Sequence, residues 1–202
     1  MSNIKPENQT AYYQEHPPKC VAVFLAEPVQ LDNIEFDGHG SSGIYPDGLD
    51  ANPNIVFAIQ CQCGGSVHNI VAQSQQEEIW YYKNLVIAQR YFLECISCHS
   101  QHLFFDKFIH GYNAEGSKIE GLSLSEFVGT SQPPGKDEKI TCECSTCNNT
   151  TFEVFTRFEY PSDLFDEPLF EGNEQEFFSW FTGIGKCNRC STINLFIDYE
   201  CA

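Results

Sequence analysis

Short apolar runs alternate with polar residues along much of this chain, and most of them fit the pleated surface of a strand. Ile55-Val56-Phe57-Ala58-Ile59 reads as a strand leading directly into Cys61. Gly64-Gly65 then permits a tight turn, and Ser66 to Ala72 reads as the return strand. Ile79 to Leu93 carries Trp80-Tyr81-Tyr82 and Leu85-Val86-Ile87 and is also expected to be extended, as is Leu103-Phe104-Phe105. Thr151 to Phe158 alternates Phe152, Val154, Phe155 and Phe158 with polar residues, as a strand does. A further strand is expected over 20–31, broken at Pro28. Turn residues dominate 32–54, and residues 1–19 read as a flexible arm. Helical signal is small: Leu122 to Val128 predicts one short helix capped by Ser123 or Ser125. The expectation is a mainly β, antiparallel protein.

Cysteine changes that picture from a list of strands into a repeat. Eight of the eleven cysteines form two sets of four: Cys61, Cys63, Cys95 and Cys98, then Cys144, Cys147, Cys187 and Cys190. Each set is followed, five residues after its last cysteine, by one phrase, Leu103-Phe104-Phe105-Asp106 or Leu195-Phe196-Ile197-Asp198. A Cys-x-x-Cys pair aims two sulfurs at one point from a single turn, and two such pairs complete a tetrahedron around a metal. The first pair departs from that spacing, since only Gln62 separates Cys61 from Cys63. Cys142-Glu143-Cys144 echoes it, so Cys142 and Cys144 are an alternative to Cys144 and Cys147. The alignment of Cys63-Gly-Gly with Cys147-Asn-Asn favours the latter and leaves Cys142 a bystander.

These residues resemble a tandem pair of zinc ribbons across 55–106 and 140–198. The resemblance implies two antiparallel β units, each closed by one structural Zn²⁺, with iron using the same ligands left open. The corresponding division is an arm over 1–19, a first unit over 20–128, a linker over 129–139 and a second unit over 140–202. The second unit carries an insertion over 158–181. His68, His99 and His102 lie near the first cysteine set and read as surface or neighbouring residues, not ligands. Asp106 and Asp198 recur in both copies and read as strand-ending residues that bond a turn.

Charge bears on partners. The chain has 11 basic and 28 acidic residues, a formal charge of −17, and both halves are acidic. Such a field repels phosphate backbones and attracts basic proteins. Four thiolates fill the metal shell, and no motif of a nucleophile, phosphate loop or open zinc site is present, so no enzyme activity is expected. The insertion interleaves acids with aromatics, and Glu167, Phe170, Glu171, Glu174, Phe177 and Trp180 are the candidate partner-binding residues. The expected function is a non-catalytic module binding a basic partner, in the manner of an inhibitor or immunity protein. The alternative is a nucleic-acid-associated zinc ribbon, for which only Lys186 and Arg189 lie at a knuckle. The first residues lack the apolar core of a signal peptide, and Val21 to Ala26 is too short to span a bilayer. Paired cysteines without an export signal fit a reducing cytoplasm.

Overall fold

A computed structural model describes residues 8–30, 53–74, 80–82, 85–112, 138–166 and 168–201. Eleven strands occur among them: β1 (Leu25–Pro28), β2 (Asn54–Gln60), β3 (Val67–Ser74), β4 (Trp80–Tyr82), β5 (Leu85–Ile87), β6 (Arg90–Cys95), β7 (Gln101–Asp106), β8 (Glu138–Thr141), β9 (Thr151–Glu159), β10 (Trp180–Cys187) and β11 (Ile193–Glu200). Nine form one antiparallel sheet, and β4 pairs with β5 as a separate ribbon. The expected mainly β, antiparallel class is what the chain adopts. The expected helix over 122–128 and most of the expected linker over 129–139 fall outside the described residues.

The arrangement of β2 and β3 differs from the expected hairpin. They do not pair with each other. Both lie end to end along one edge of β9, β2 opposite Val154–Glu159 and the start of β3 opposite Thr151–Glu153. In the same way, β8 and the start of β9 lie end to end along one edge of β3. Each in-line pair is interrupted by a cysteine knuckle that loops out of the sheet. On their other edges, β3 pairs with β6 and then β7, and β9 pairs with β10 and then β11. Apart from β1, which pairs with the outer edge of β2, the pairing pattern is the same from either copy. A glycine-rich turn can reverse a strand, but the alternating apolar faces of β2 and β3 both match the inward face of β9, and that burial sets the register.

Two further differences are local. The strand expected over 20–31 is a short helix, α2 (Lys19–Ala22), followed by β1. The expected extended run over 79–93 is broken into β4, β5 and β6. Within the segment expected to be a flexible arm, α1 (Gln9–Glu15) is capped by the Asn8 side chain, which accepts from the Ala11 N–H at 3.1 Å. It stops before Pro17-Pro18, where the chain cannot continue a helix.

The core is aromatic. Ile55, Phe57 and Ile59 of β2 share a face with Phe152, Val154 and Phe158 of β9, and all are buried. The repeated phrase carries a β-bulge in both copies. Tyr91 pairs with Phe105 and Phe92 with Leu103, so Phe104 is the extra residue; Gly183 pairs with Ile197 and Ile184 with Leu195, so Phe196 is the extra residue. A bulge lets two consecutive side chains turn to one side, and Phe104 with Phe105, like Phe196 with Ile197, are buried together. Space for Phe196 comes from Gly185, where a Cβ would sit 2.7 Å from its ring and 2.9 Å from the Phe152 Cβ. Asp106, the last residue of the phrase, binds Arg90 at 2.6 Å and accepts from the Phe108 N–H at 2.9 Å, while Asp198 accepts from Trp180 Nε1 at 2.6 Å.

Curling of the sheet brings β7 against β10. Phe181 is fully buried, stacked on Phe105 at 4.4 Å and edge-on to Phe158 at 5.1 Å and Phe104 at 5.4 Å. Truncating it removes contacts from both halves of the sheet. Phe181→Ala is predicted to cost about 3–5 kcal/mol, read as a lower urea midpoint at unchanged metal content.

Candidate metal centres

Each of the four knuckles is built on the same backbone hydrogen bonds. The carbonyl of the first cysteine accepts from the N–H just past the second: Gly64 to Cys61 at 2.8 Å, His99 to Cys95 at 2.8 Å, Asn148 to Cys144 at 2.9 Å and Ser191 to Cys187 at 2.9 Å. The N–H of the first cysteine closes the turn onto Gly65, Ser100, Asn149 and Thr192 respectively. Gly64, His99, Asn148 and Ser191 all have left-handed backbone, with φ of 84°, 59°, 57° and 60°. Among the described residues, those last three are the non-glycine positions with positive φ. Each such conformation costs roughly 1–2 kcal/mol for an L side chain, so the turns are held in place by something beyond local preference.

The sulfurs supply it. In each set of four, all Sγ atoms lie within 4.8 Å of one another. Cys61 and Cys98 are 3.5 Å apart and Cys63 and Cys95 3.6 Å; Cys144 and Cys190 are 3.5 Å apart and Cys147 and Cys187 3.6 Å. Disulfide sulfurs stand about 2.05 Å apart, whereas four thiolates around tetrahedral zinc stand about 3.8 Å apart. All eleven cysteines are free thiols, and the eight in these clusters have the spacing of a metal shell. The sets are those expected from the sequence.

Strand register also decides between Cys142 and Cys147. Cys142 donates its N–H to the Ile70 carbonyl at 2.8 Å, and the corresponding place in the first copy is held by Ile59, opposite Val154. Cys142 is therefore a core residue, and burial pushes its thiol up to about 12. Cys61 then corresponds to Cys144 and Cys63 to Cys147, with one residue fewer in the first knuckle. That shorter turn closes tightly: a Cβ on Gly65 would lie 2.9 Å from Cys95 Sγ.

Four thiolates this close repel one another, and the thiols divide accordingly. The Ser100 hydroxyl and then its N–H draw Cys98 down to about 6. Gly65 N–H favours the Cys63 thiolate, but the sulfurs of Cys98, Cys61 and Cys95 crowd it up to about 12. In the second cluster burial opposes ionisation of Cys187, yet the N–H groups of Cys190 and Arg189 and the Asn149 amide bring it to about 6. Cys147 gains from the Asn149 N–H but is pushed up to about 12 by burial and by Cys190, Cys187 and Cys144. A dication is the group that would let all four ionise together. The donor sets fit a thiophilic dication such as zinc, which Cys61, Cys63, Cys95 and Cys98 would hold in one centre and Cys144, Cys147, Cys187 and Cys190 in the other.

Sequence reading missed the groups that touch these sulfurs. Ser100 Oγ lies 3.1 Å from Cys98 and 3.3 Å from Cys61, and Thr192, its counterpart, lies 3.3 Å from Cys190. Asn149 and Asn194 direct amide N–H groups to Cys187 at 3.5 Å and Cys144 at 3.6 Å. The hydroxyls stand two residues past the last cysteine in both copies, a signal present in the repeat alignment. His99 is a left-handed turn residue, His102 packs edge-on to Phe24 at 5.6 Å, and buried His68 holds the position filled by Phe152 in the second copy. None belongs to either cluster.

The candidate partner-binding residues do not form one surface. Phe170 and Phe177 are buried, 4.4 Å apart and edge-on to Tyr112. Glu174 is buried and accepts from the Tyr12 hydroxyl at 2.9 Å; Trp180 is half-buried and bonded to Asp198. Glu171 is exposed, and Glu167 lies outside the described residues. Phe158, Tyr160, Phe165, Phe170, Phe177, Phe178 and Phe181 of the insertion all belong to the buried core.

No family model matches the chain, and no curated protein or solved structure is found similar to it. The two Cys₄ clusters themselves set the class: a mainly β protein with two zinc-knuckle-like clusters able to hold a metal.

Two variants check the ligand assignment. Cys142→Ala is expected to retain two metals per chain by native mass spectrometry, whereas Cys144→Ser is expected to retain at most one. Stripping the metals with a strong chelator is expected to abolish the cooperative near-UV circular dichroism of the sheet, since the strained knuckles lose what holds them.

Proposed function

We propose that this chain is a non-catalytic, zinc-stabilised module that recognises a basic protein partner through charge. The observation that carries the reading is the formal charge of −17 on a chain whose candidate metal shells are closed by four sulfurs each. Four thiolates leave no open position for a substrate or an activated water. Two bound Zn²⁺ ions would make the holo chain more acidic still, by about two charges per centre. An inhibitor or immunity-type protein that neutralises a basic toxin or nuclease fits this combination by physical type. Because Phe170 and Phe177 are buried, the contact surface is drawn from the acids of the same segment that face solvent: Asp163, Asp166 and Glu171. Attraction of that kind speeds encounter and is screened by salt.

The test is capture by the holo chain, compared with the triple charge reversal Asp163→Lys, Asp166→Lys, Glu171→Lys. The expected result is a specific partner rich in Lys and Arg, bound several-fold more weakly by the variant and at raised salt, with the melting temperature of the free chain little changed. Capture that is insensitive to both salt and charge reversal would overturn the reading.

A further inference from the structure

The two centres share a backbone design but not the same protection, and both the exposure of the sulfurs and the carboxamide donors favour the second. In the first centre Cys63 and Cys98 are both exposed; in the second Cys190 is exposed but Cys147 is half-buried. The inner sulfurs of the second centre each receive a carboxamide N–H, Asn149 to Cys187 and Asn194 to Cys144. The strand registers place Gly65 and His102 at the corresponding positions of the first centre, and neither is a carboxamide. There the side-chain donor near the sulfurs is the Ser100 hydroxyl, shared between Cys61 and Cys98.

We infer that the Cys61, Cys63, Cys95, Cys98 centre is an exchangeable zinc site and the Cys144, Cys147, Cys187, Cys190 centre a retained one. This rests on the reading of both clusters as metal centres. A thiolate leaves a metal when an incoming ligand can approach its corner and when nothing else holds the departing sulfur in place, and it is alkylated when it is accessible and keeps its nucleophilicity. Cys98 and Cys63 give an incoming chelator two exposed corners of one tetrahedron. Amide donors on Cys187 and Cys144 fix the orientation of those sulfurs, which slows their departure, and draw electron density from them, which slows their attack on electrophiles. Metal therefore leaves the first centre to a competing zinc ligand while the second stays filled.

The consequence for the fold is specific. The first knuckle joins β2 to β3, and the Gln62 amide reaches the Val23 carbonyl at 3.4 Å between α2 and β1. Loss of that metal frees the left-handed turns at Gly64 and His99 and loosens the edge formed by β1, β2 and α2. β9, β10 and β11 remain closed around the retained centre. Occupancy of the first centre would thus report available zinc as the order of that edge.

The experiment uses the full-length holo chain, first shown by native mass spectrometry to carry two zincs. Fewer than two would overturn the metal reading itself, and this proposal with it. Transfer of zinc to the chromogenic chelator 4-(2-pyridylazo)resorcinol is then followed in time, with pulses of iodoacetamide mapped by peptide mass spectrometry. The expected result is two phases of one equivalent each, separated by on the order of tenfold or more in rate. Alkylation should appear on Cys98 and Cys63 during the fast phase, with Cys144 and Cys187 protected until the slow one. Asn149→Ala with Asn194→Ala should bring the slow phase toward the fast one, and the wild-type rates decide the matter if that variant fails to fold. A single phase, or alkylation of the second cluster first, would overturn the proposal.

Discussion

Three residue pairs hold this molecule's plan together. Val67 lies opposite Glu153, His68 opposite Phe152 and Asn69 opposite Thr151, the one stretch where the first strands past the two leading knuckles pair with each other. On one side of it β9 continues along β2, and on the other β3 continues along β8. A pairing of three residues is weak by itself. It persists because each end is pinned by a knuckle whose sulfurs converge with those of a second knuckle on the next hairpin. Metal chemistry and sheet topology are thus one constraint: the knuckles set where the strands can be interrupted, and the shared seam sets where the two centres sit.

The strained turns make sense only in that setting. His99, Asn148 and Ser191 hold left-handed backbone that together costs a few kcal/mol. In exchange the turn aims backbone N–H groups at the sulfurs, as Gly65 does for Cys63 and Asn149 for Cys147. Zinc bound by four cysteines contributes far more folding free energy than that, on the order of 10 kcal/mol in small peptides. The aromatic core supplies a continuous apolar contact between halves, through Phe104, Phe105, Phe158 and Phe181.

The two cysteine clusters were legible in the sequence because gathering four sulfurs at one point requires residue type and spacing together. The repeated phrase was legible too, but not its meaning: the spacing of Leu, Phe and Asp reveals a repeat, while the bulge that turns Phe104 and Phe196 inward depends on the facing strand. The in-line placement of β2 and β3 was not legible, since a Cys-x-Cys-Gly-Gly turn is locally compatible with reversal or with a loop-out. Only burial against β9 distinguishes them. The segment over 158–181 misled for a similar reason. Alternating acids and aromatics look like a recognition surface in one dimension, and whether the rings point outward depends on what the sheet leaves uncovered. Tyr13 is the counterpart at the other end: nothing local marks it as core, yet it is buried and stacked 3.7 Å from Tyr160.

That last contact changes how the acidity should be understood. Glu174 accepts from the Tyr12 hydroxyl, and Glu176, also buried, accepts from the Lys19 N–H at 3.1 Å. These two acids of the insertion therefore do not face solvent; they fasten the N-terminal helix and the start of α2 to the far end of the chain. Buried carboxylates held by such donors are structural, because a carboxyl group away from water needs the hydrogen bonds that the fold supplies. Among the described residues, the acids that face solvent are Asp163, Asp166 and Glu171 in the insertion, with Glu15, Glu27, Glu143 and Glu200 elsewhere. A partner that reads this protein by charge meets a surface sorted by the fold, in which one set of carboxylates ties the chain ends together and another faces outward.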